Sequence, residues 1–229
     1  MRLSAIHRHP VKAMGGEALE LVEVDQRGLV GDRGWAVFDA DGKIATGKNS
    51  TRFRRHDHVF DYSAAISASG VFVTGHGGHW RVGDAALDDE LSDRLGAPMS
   101  LQPEGEVLLF DSSPISIIGT ATLAHYRELG IDADHRRLRA NFVVETAEPF
   151  EEESWIGRDV CIGALRLHVT KRIVRCRMID LDQNGLETTT PWLKTLAPRD
   201  AQLAVYARVL QPAVVRVGDQ VALADNLAR

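Results

Sequence analysis

Cysteine is scarce in this chain of 229 residues, which contains only Cys161 and Cys176. Two cysteines cannot form the disulfide framework of a small secreted domain. No stretch reaches the roughly 18 consecutive apolar residues that a transmembrane helix requires. The segment from Met1 to Pro10 also contains no apolar run of signal-peptide length. We therefore expect a protein of a reducing, cytoplasmic compartment that does not bind membranes.

An excess of positive charge is also lacking, since the formal net charge is −5. A general nucleic-acid binder needs a basic surface, so no nucleic-acid partner is expected and any basic patch must be local. The segment Gly75-His-Gly-Gly-His79 lacks the lysine and the following helix of a phosphate-binding loop. Its two histidines, with His56 and His58, could contribute to a zinc site, but no recognisable ligand spacing accompanies them. Most surface histidines bind no metal, so the more common interpretation is that these four do not form a site.

The chain does contain many short apolar runs that are separated by turn residues. Such runs predict strands. They lie at 3–9, 18–25, 35–38, 44–46, 59–66, 71–74, 107–110, 141–145, 165–170, 173–181, 203–210, 214–217 and 221–223. Closely spaced strands with glycine turns favour a small barrel or sandwich. The predicted fold class is mostly β with a few helices (α+β).

Helices are predicted at three places. The acidic segment from Leu87 to Leu95 is typical of a short helix that ends at Gly96. Ser113-Pro114 suits a helix N-terminus, which predicts a helix through Leu129, although its β-branched residues weaken helix propensity. The segment from Pro191 to Leu196 predicts one or two helical turns. The change of texture after residue 83 divides the chain into two closely packed parts, 1–84 and 85–229.

The first candidate functional residue is Cys176, which stands between Arg175 and Arg177. The thiolate is the form of cysteine that binds metals or attacks electrophiles, and nearby cations favour it. On a regular strand both arginines would point away from the face of the cysteine, so the argument works best if the strand ends or bulges there. The alternative is a structural thiol, because free cysteine is among the most buried residue types. Cys161, in an apolar run, is interpreted as a core residue.

The second candidate is the basic cluster that ends in Arg137, Arg139 and Asn141. If this segment leads into a strand, these three residues share one face. Guanidinium groups bind carboxylates and phosphates through paired hydrogen bonds, so the cluster indicates an anion site. Surface ion pairs with Glu148 and 151–153 are the alternative. The amides of Asp111-Ser112-Ser113, before the predicted helix, could bind an anion or simply cap that helix.

Taken together, these pieces occur in an order that resembles the MOSC family (molybdenum-cofactor sulfurase C-terminal domain) with its N-terminal β-barrel partner. The matching motifs are His9-Pro-Val-Lys12, Gly31-Asp-Arg-Gly-Trp35, Asp111-Ser-Ser-Pro114, Arg137-Leu-Arg-Ala-Asn141, Glu153-Ser-Trp155, Arg175-Cys176 with Asp180, and Pro191-Trp-Leu-Lys-Thr-Leu196. The resemblance covers nearly the whole chain. It implies an N-terminal β-barrel-like part, 1–84, packed on a MOSC β-barrel domain, 85–229.

The resemblance also implies a cofactor. Relatives such as the mitochondrial amidoxime-reducing component and bacterial reductases of N-hydroxylated compounds hold a pyranopterin-dithiolene molybdenum cofactor. By position, Cys176 would be the catalytic cysteine and the thiolate ligand of molybdenum. The residues that would hold the pterin and its phosphate are Lys12, Arg33, Arg137, Arg139 and Asn141, helped by Asp111 and Ser112.

Three functions are open on this evidence. The first is reduction of N-hydroxylated or N-oxygenated small molecules, with electrons from a separate ferredoxin- or cytochrome-type protein, since the chain has no iron–sulfur cysteine cluster. The second is a non-catalytic carrier, in which Cys176 holds a persulfide or passes on the cofactor. The third is a degenerate domain whose basic groove binds another small anion. Bound molybdenum would indicate the first function, and sulfane sulfur the second.

Overall fold

The structure of the protein, a computed structural model, describes residues 1–183, 185–188 and 190–224. The strands, numbered in chain order, are β1 (Leu3–Arg8), β2 (Glu17–Leu19), β3 (Leu21–Asp25), β4 (Gly28–Leu29), β5 (Trp35–Asp39), β6 (Ile44–Thr46), β7 (Phe53–Arg55), β8 (Ser63–Ser67), β9 (Gly70–Gly75), β10 (Gly78–Arg81), β11 (Met99–Pro103), β12 (Ile115–Gly119), β13 (Phe142–Val144), β14 (Asp159–Ile162), β15 (Leu165–Val174), β16 (Gln202–Gln211), β17 (Ala213–Arg216) and β18 (Val221–Leu223).

Helices connect these strands. The α-helices are α1 (Ala85–Leu95), α2 (Thr120–Glu128), α3 (His135–Leu138) and α4 (Trp192–Leu196). Short 3-10 helices lie at Asp57–Asp61, Glu151–Trp155, Arg177–Asp180 and Ala197–Arg199. Strands therefore dominate the described chain, and the predicted class of mostly β with a few helices is confirmed.

The largest sheet has the strand order β18-β14-β15-β16-β12-β13-β1-β2. Its pairs are antiparallel except β12 with β13, which run parallel. A single bridge between Arg2 and Gln220 brings the start of the chain against the last strand of this sheet. The sheet consequently curls around an apolar core that contains Leu3, Phe142 and Trp155. Burial of such side chains is the main force that holds the curl.

Three smaller sheets complete the fold, with the orders β11-β5-β6-β7, β10-β9-β8 and β17-β3-β4. Helix α1 packs on the first two through Leu87 and Leu91, beside the buried rings of Phe60 and Tyr62. Helices α2 to α4 cover the outside of the large sheet through a third cluster that includes Trp192.

Strand pairing crosses the predicted boundary at residue 84 in both directions. Strands β1 and β2 belong to the large sheet, whose other members follow residue 114, and β11 pairs with β5. The core of the large sheet likewise takes Val22, Val24 and Leu29 from the N-terminal part. The division into 1–84 and 85–229 stays a prediction.

The predicted helix from Pro114 to Leu129 is wrong in its first half. Residues Ile115–Gly119 form β12, all five of them buried, and α2 begins at Thr120. β-branched residues are restricted in a helix but suit a strand that is covered on both faces. Since a strand follows Ser113, no helix N-terminus presents amides to an anion there, and the Ser113 hydroxyl donates instead to the carbonyl of Ala207 at 2.8 Å.

Three of the predicted strands are also corrected. The apolar run 107–110 is irregular rather than a strand, with Val107 and Leu108 exposed and Leu109 buried against Ala36, Ile44 and Phe53. The run 59–66 begins in the 3-10 helix Asp57–Asp61 and becomes a strand only at Ser63. The run 173–181 leaves the sheet after Val174 and continues as the 3-10 helix Arg177–Asp180. Apolar runs of this length do not by themselves distinguish strands from other buried segments.

Candidate functional site

A pocket opens where β15 ends, and Cys176 lies on its wall two residues after that end. The pocket encloses about 740 Å³, counting the solvent at its mouth. Its charged lining is strongly basic. The cationic side chains are Lys12, Arg33, Lys48, Arg137, Arg139 and Arg175, and among the described residues the carboxylate is that of Asp111. Such a lining favours an anionic ligand.

The two arginines beside Cys176 separate because the strand has ended. Arg175 lines the pocket, where its Nε donates to the carbonyl of Leu203 at 3.0 Å and its Nη1 to that of Leu138 at 2.8 Å. Arg177 turns towards the N-terminal part and pairs with Asp57 at 2.6 Å. The condition set by the sequence, that the strand ends at the cysteine, is therefore met. Of these two guanidinium groups, that of Arg175 therefore stays in the pocket of the thiol.

Backbone conformation is unusual at three residues of this pocket. Ala13, Arg33 and Arg139 have φ values of 70°, 49° and 55°, in the left-handed region. Residues other than glycine rarely adopt this region, and such conformations cluster at functional sites, where the surrounding fold holds them. The Arg33 amide is held by the carbonyl of His9 at 2.7 Å. The fold thus holds Arg33 and Arg139, two of the pocket's cations, in a strained backbone conformation.

Two guanidinium groups in the pocket each have a buried donor nitrogen without an acceptor in the described part of the chain. Nη1 of Arg139 donates to the carbonyl of Met14, but Nη2 of Arg139 and Nη2 of Arg175 find no partner among the described residues. Burial lowers the pKa of both arginines, and the charge of Arg33 lowers both further. Since arginine stays protonated in proteins, each group is a buried cation with a free donor. An oxyanion in the pocket would satisfy both.

Lys12 and Asp111 form a close ion pair in the pocket. Nζ of Lys12 lies 3.0 Å from Oδ1 of Asp111, donates to the carbonyl of Leu109 at 2.7 Å and sits over the ring of Phe53. Burial lowers the pKa of Lys12 to about 8, against the opposing effect of Asp111. Burial would raise the pKa of Asp111, but the charges of Lys12 and Lys48 bring it below its usual range. Lys12 is thus a cation that can lose its proton in mildly alkaline solution.

Arg137 reaches the pocket wall but has its donors engaged elsewhere. Its Nη1 donates to the carbonyl of Leu181 at 2.7 Å and the hydroxyl of Thr188 at 3.1 Å, and its Nη2 to the carbonyls of Leu186 and Glu187 at 3.0 and 2.8 Å. It lies on α3, whereas Arg139 follows that helix in a left-handed conformation. The predicted common face of Arg137, Arg139 and Asn141 is therefore wrong. In this structure Arg137 braces the segment that follows Cys176.

Asn141 is buried and does not line the pocket. Its Oδ1 accepts from the hydroxyl of Ser116 at 2.9 Å, and its Nδ2 donates to the carbonyl of His7 at 3.3 Å. It therefore joins β12 to β1 and positions Ser116, which does line the pocket. Ser112 is exposed and lies outside the pocket lining. Among the described residues, no ion pair joins the arginine cluster to Glu148 or 151–153. Glu153 pairs with Arg172 and Arg199 instead, and Glu152 accepts from the hydroxyl of Thr122.

Sequence reasoning missed several lining residues, notably Thr46, Lys48 and Tyr206. Lys48 follows a short strand without any motif, and Tyr206 lies in the middle of β16, where alternation predicts only a strand. The histidine hypothesis gains no support, since the described residues contain no group of three metal-ligating side chains. His58 contacts Asp61 at 2.9 Å and His79 contacts Thr74 at 2.8 Å instead. Within the described ranges, no helix is long and apolar enough to cross a membrane.

Comparisons with known families match both parts of the chain. The family model of the MOSC domain matches residues 104–222, and that of the MOSC N-terminal beta barrel domain matches residues 1–72. Among solved structures, the YuaD protein from Bacillus subtilis aligns with a TM-score of 0.50 and 12% sequence identity. That alignment covers 96% of this chain and 93% of the other. It shows a shared fold.

The curated relatives are much longer proteins. The chain is 30% identical over 111 residues to a molybdenum cofactor sulfurase of Danio rerio, an alignment that covers 46% of this chain and 13% of that protein. It is 26% identical over 193 residues to the molybdenum cofactor sulfurase of Homo sapiens, covering 80% of this chain and 19% of that protein. The chain therefore spans less than a fifth of the length of either relative.

Proposed function

The chain belongs to the MOSC family, and we propose that its pocket holds a pyranopterin molybdenum cofactor with which it reduces N-hydroxylated or N-oxygenated compounds. One observation carries the proposal. Two buried guanidinium groups, those of Arg139 and Arg175, line the same pocket as Cys176 and each has a hydrogen bond unmade among the described residues. A soft thiolate beside cationic forks suits a ligand that combines a thiophilic metal with a phosphate.

The residues present fit this cofactor in kind. Cys176 would bind the metal as a thiolate, and Arg139, Arg175, Arg33 and Lys12 would bind the phosphate and the pterin. Arg137 and Asn141 would act indirectly. Arg137 holds the segment after Cys176 in place, and Asn141 holds Ser116 in place. Asp111 lines the pocket, which supports its predicted contact with the cofactor. Ser112 does not line the pocket, so its predicted contact has no such support.

When bound, the cofactor would supply a two-electron centre for cleavage of an N–O bond. The chain's own residues would orient the substrate and neutralise its charge. The described residues contain no cysteine cluster for an iron–sulfur group. The electrons would therefore come from a separate ferredoxin- or cytochrome-type protein.

A second candidate function is supported by the curated relatives, which are named as molybdenum cofactor sulfurases. In this alternative the protein is a carrier, and Cys176 holds a persulfide or passes on the cofactor. The basic pocket would then serve to dock the cofactor for a limited time.

Metal analysis tests the proposal directly. We expect protein from a host that makes the cofactor to contain near-stoichiometric molybdenum and pterin. The matched control is Cys161→Ala, because Cys161 lies buried on β14 and does not line the pocket. Cys176→Ala should lose the molybdenum, and Cys161→Ala should retain it. The loaded protein should reduce benzamidoxime with reduced methyl viologen as the electron source.

Two results would overturn the reductase. One is absence of molybdenum in the wild-type protein under conditions in which a known relative loads fully. The other is full loading without reduction of any N-hydroxylated probe. Release of thiocyanate on treatment with cyanide, lost in Cys176→Ala, would show sulfane sulfur and support the carrier.

A further inference from the structure

A second, smaller cavity, called the inner cavity below, adjoins the cysteine pocket. It has about 50 Å³ of room for water and is lined by His7, His9 and Gln183, among others. Arg139 lines both this inner cavity and the cysteine pocket, so it forms part of the wall between them. A buried water needs roughly 10–15 Å³ by this kind of measure, so the inner cavity has room for a small cluster of waters.

Two buried groups on this cavity need partners. His9 is 1% exposed, and neither of its ring nitrogens has a hydrogen-bond partner among the described residues. Nη2 of Arg139 also has no partner among the described residues, and its two hydrogens allow it to donate both to an anion in the Cys176 pocket and to a water in this cavity. Gly16 keeps space open beside the imidazole, since a side chain there would come 2.5 Å from Nδ1 of His9. Unsatisfied buried polar groups next to a polar cavity are the usual mark of bound water.

The chemistry of these groups suits water better than an ion. Burial, with the charges of Arg139 and Arg33 and of His7 and His135, lowers the pKa of His9 well below its ordinary value. A neutral imidazole has one donor and one acceptor nitrogen, whereas a guanidinium only donates. One water can accept from Arg139 and donate to His9. The described residues offer no three-ligand group for a metal ion here.

A polar connection leads from the cavity to the surface. Nδ1 of His7 lies 3.2 Å from Nε2 of His135, and the side chain of His135 is 24% exposed. The ring centroids of His7 and His9 are 6.3 Å apart, a gap that a water in the shared cavity would bridge. The charged neighbours of the His7–His135 pair are Asp134, Arg136 and, beside His135, Arg127.

We propose that the inner cavity is a hydrated proton inlet: protons pass from the His7–His135 pair through water to His9, and from there through water beside the guanidinium of Arg139 into the Cys176 pocket. Arg139 orients this water by donating hydrogen bonds and does not itself carry the proton. This inference rests on the proposed function, which consumes protons: R₂N–OH + 2 e⁻ + 2 H⁺ → R₂N–H + H₂O. The N–O bond breaks, one proton completes the N–H bond and the other completes the water. The two electrons come from a one-electron carrier protein of the iron–sulfur or haem type.

The hydration is tested without cofactor. In ¹⁵N-labelled protein, we expect the ring N–H of His9 to show magnetisation transfer from water, despite complete burial of the side chain. Replacement of His7 by leucine, which removes the polar link to the surface, should weaken this transfer. A His9 ring proton that exchanges no magnetisation with water would mean a dry cavity and would overturn the inlet.

The proton path is tested on the loaded protein. His9→Gln and His7→Gln should keep wild-type molybdenum content, reduce benzamidoxime at least about tenfold more slowly and show a larger solvent deuterium isotope effect. His58→Gln, an exposed histidine that lines neither cavity, is the matched control. Wild-type turnover and isotope effect in both cavity variants would overturn the inlet. Absence of molybdenum in the wild type would instead overturn the proposed function, and with it the need for an inlet.

Discussion

The guanidinium of Arg177 lies against the carboxylate of Asp57, with Nη1 2.6 Å from Oδ1 and Nη2 3.1 Å from Oδ2. Arg177 also donates to the carbonyl of Gly47 at 3.0 Å. Because Arg177 follows Cys176 directly, this pair fastens the cysteine segment to the N-terminal sheets. Burial would raise the pKa of Asp57, but its hydrogen bonds to Arg177 and Arg55 lower it to about 2.

Asp57→Asn should lower the free energy of unfolding by about 1 kcal/mol or less at pH 7, since both partners are partly exposed. The folded-state pKa of Asp57 is below its ordinary value of 3.8, so its contribution is complete above that value and disappears as the pH falls towards 2. Urea denaturation at pH 7 and pH 2.5 measures the difference. Asp93→Asn, on the exposed face of α1, is the control. A deficit that is the same at both pH values would contradict the assignment.

Arg137→Met should destabilise the fold rather than simply weaken anion binding. The change removes the buried donor from the carbonyls of Leu181, Leu186 and Glu187, which we expect to cost about 3 kcal/mol or more. Chemical denaturation measures the loss. The neighbouring Arg136→Met is the control, because that side chain is 53% exposed and pairs only locally with Asp134. If the urea midpoint of unfolding were the same for Arg137→Met and the wild-type protein, the structural role assigned to Arg137 would be wrong.

Anion affinity should fall in mildly alkaline solution because Lys12 has a pKa of about 8. Lys12 loses its charge as the pH rises through that value, so sulfate binding should weaken about tenfold between pH 7 and pH 9. Sulfate is the better probe, since its own charge does not change in this range. Lys12→Arg keeps its charge and should bind sulfate equally at both pH values. An equal pH dependence in the two proteins would exclude Lys12 as the cause.

Gly16→Ala should lower the free energy of unfolding by about 2 kcal/mol or more. A methyl group there would lie 2.2 Å from the carbonyl oxygen of Arg8 and 2.5 Å from Nδ1 of His9, so the backbone of β1 has to move. Gly34→Ala is the matched control, because a methyl group at residue 34 meets nothing within 4 Å. Thermal unfolding of both variants measures the contrast, and equal stability would count against the close approach.

The pocket itself could be predicted in part from the sequence. The order of motifs pointed to Lys12, Arg33, Arg139 and Cys176, and all four line one cavity. Their convergence depends on strand pairing between distant parts of the chain, such as Leu3 with Val144, which no local pattern reveals. The sequence could not predict that Arg137 and Arg139 have different roles, because two arginines spaced by two residues are expected to lie on the same face of a strand. The left-handed backbone at Arg139 turns them to different partners.

Local preferences misled the prediction elsewhere. Pro114 suits a helix start, but the branched side chains that follow are buried in a central strand, and burial on both faces decided the structure. Lys48 and Tyr206 were missed since a lone lysine after a short strand and a tyrosine within a strand carry no motif. Only the folded arrangement identifies them as lining the pocket.

Strand β1 lies between β2 and β13, and β13 comes much later in the chain. While the protein is being made on a ribosome, β1 therefore lacks one of its neighbours until residues 142–144 have emerged. The cavity around Cys176 needs Lys12 from one end of the chain and Tyr206 from the other. The complete lining of the cavity therefore cannot form before residue 206 has left the ribosome.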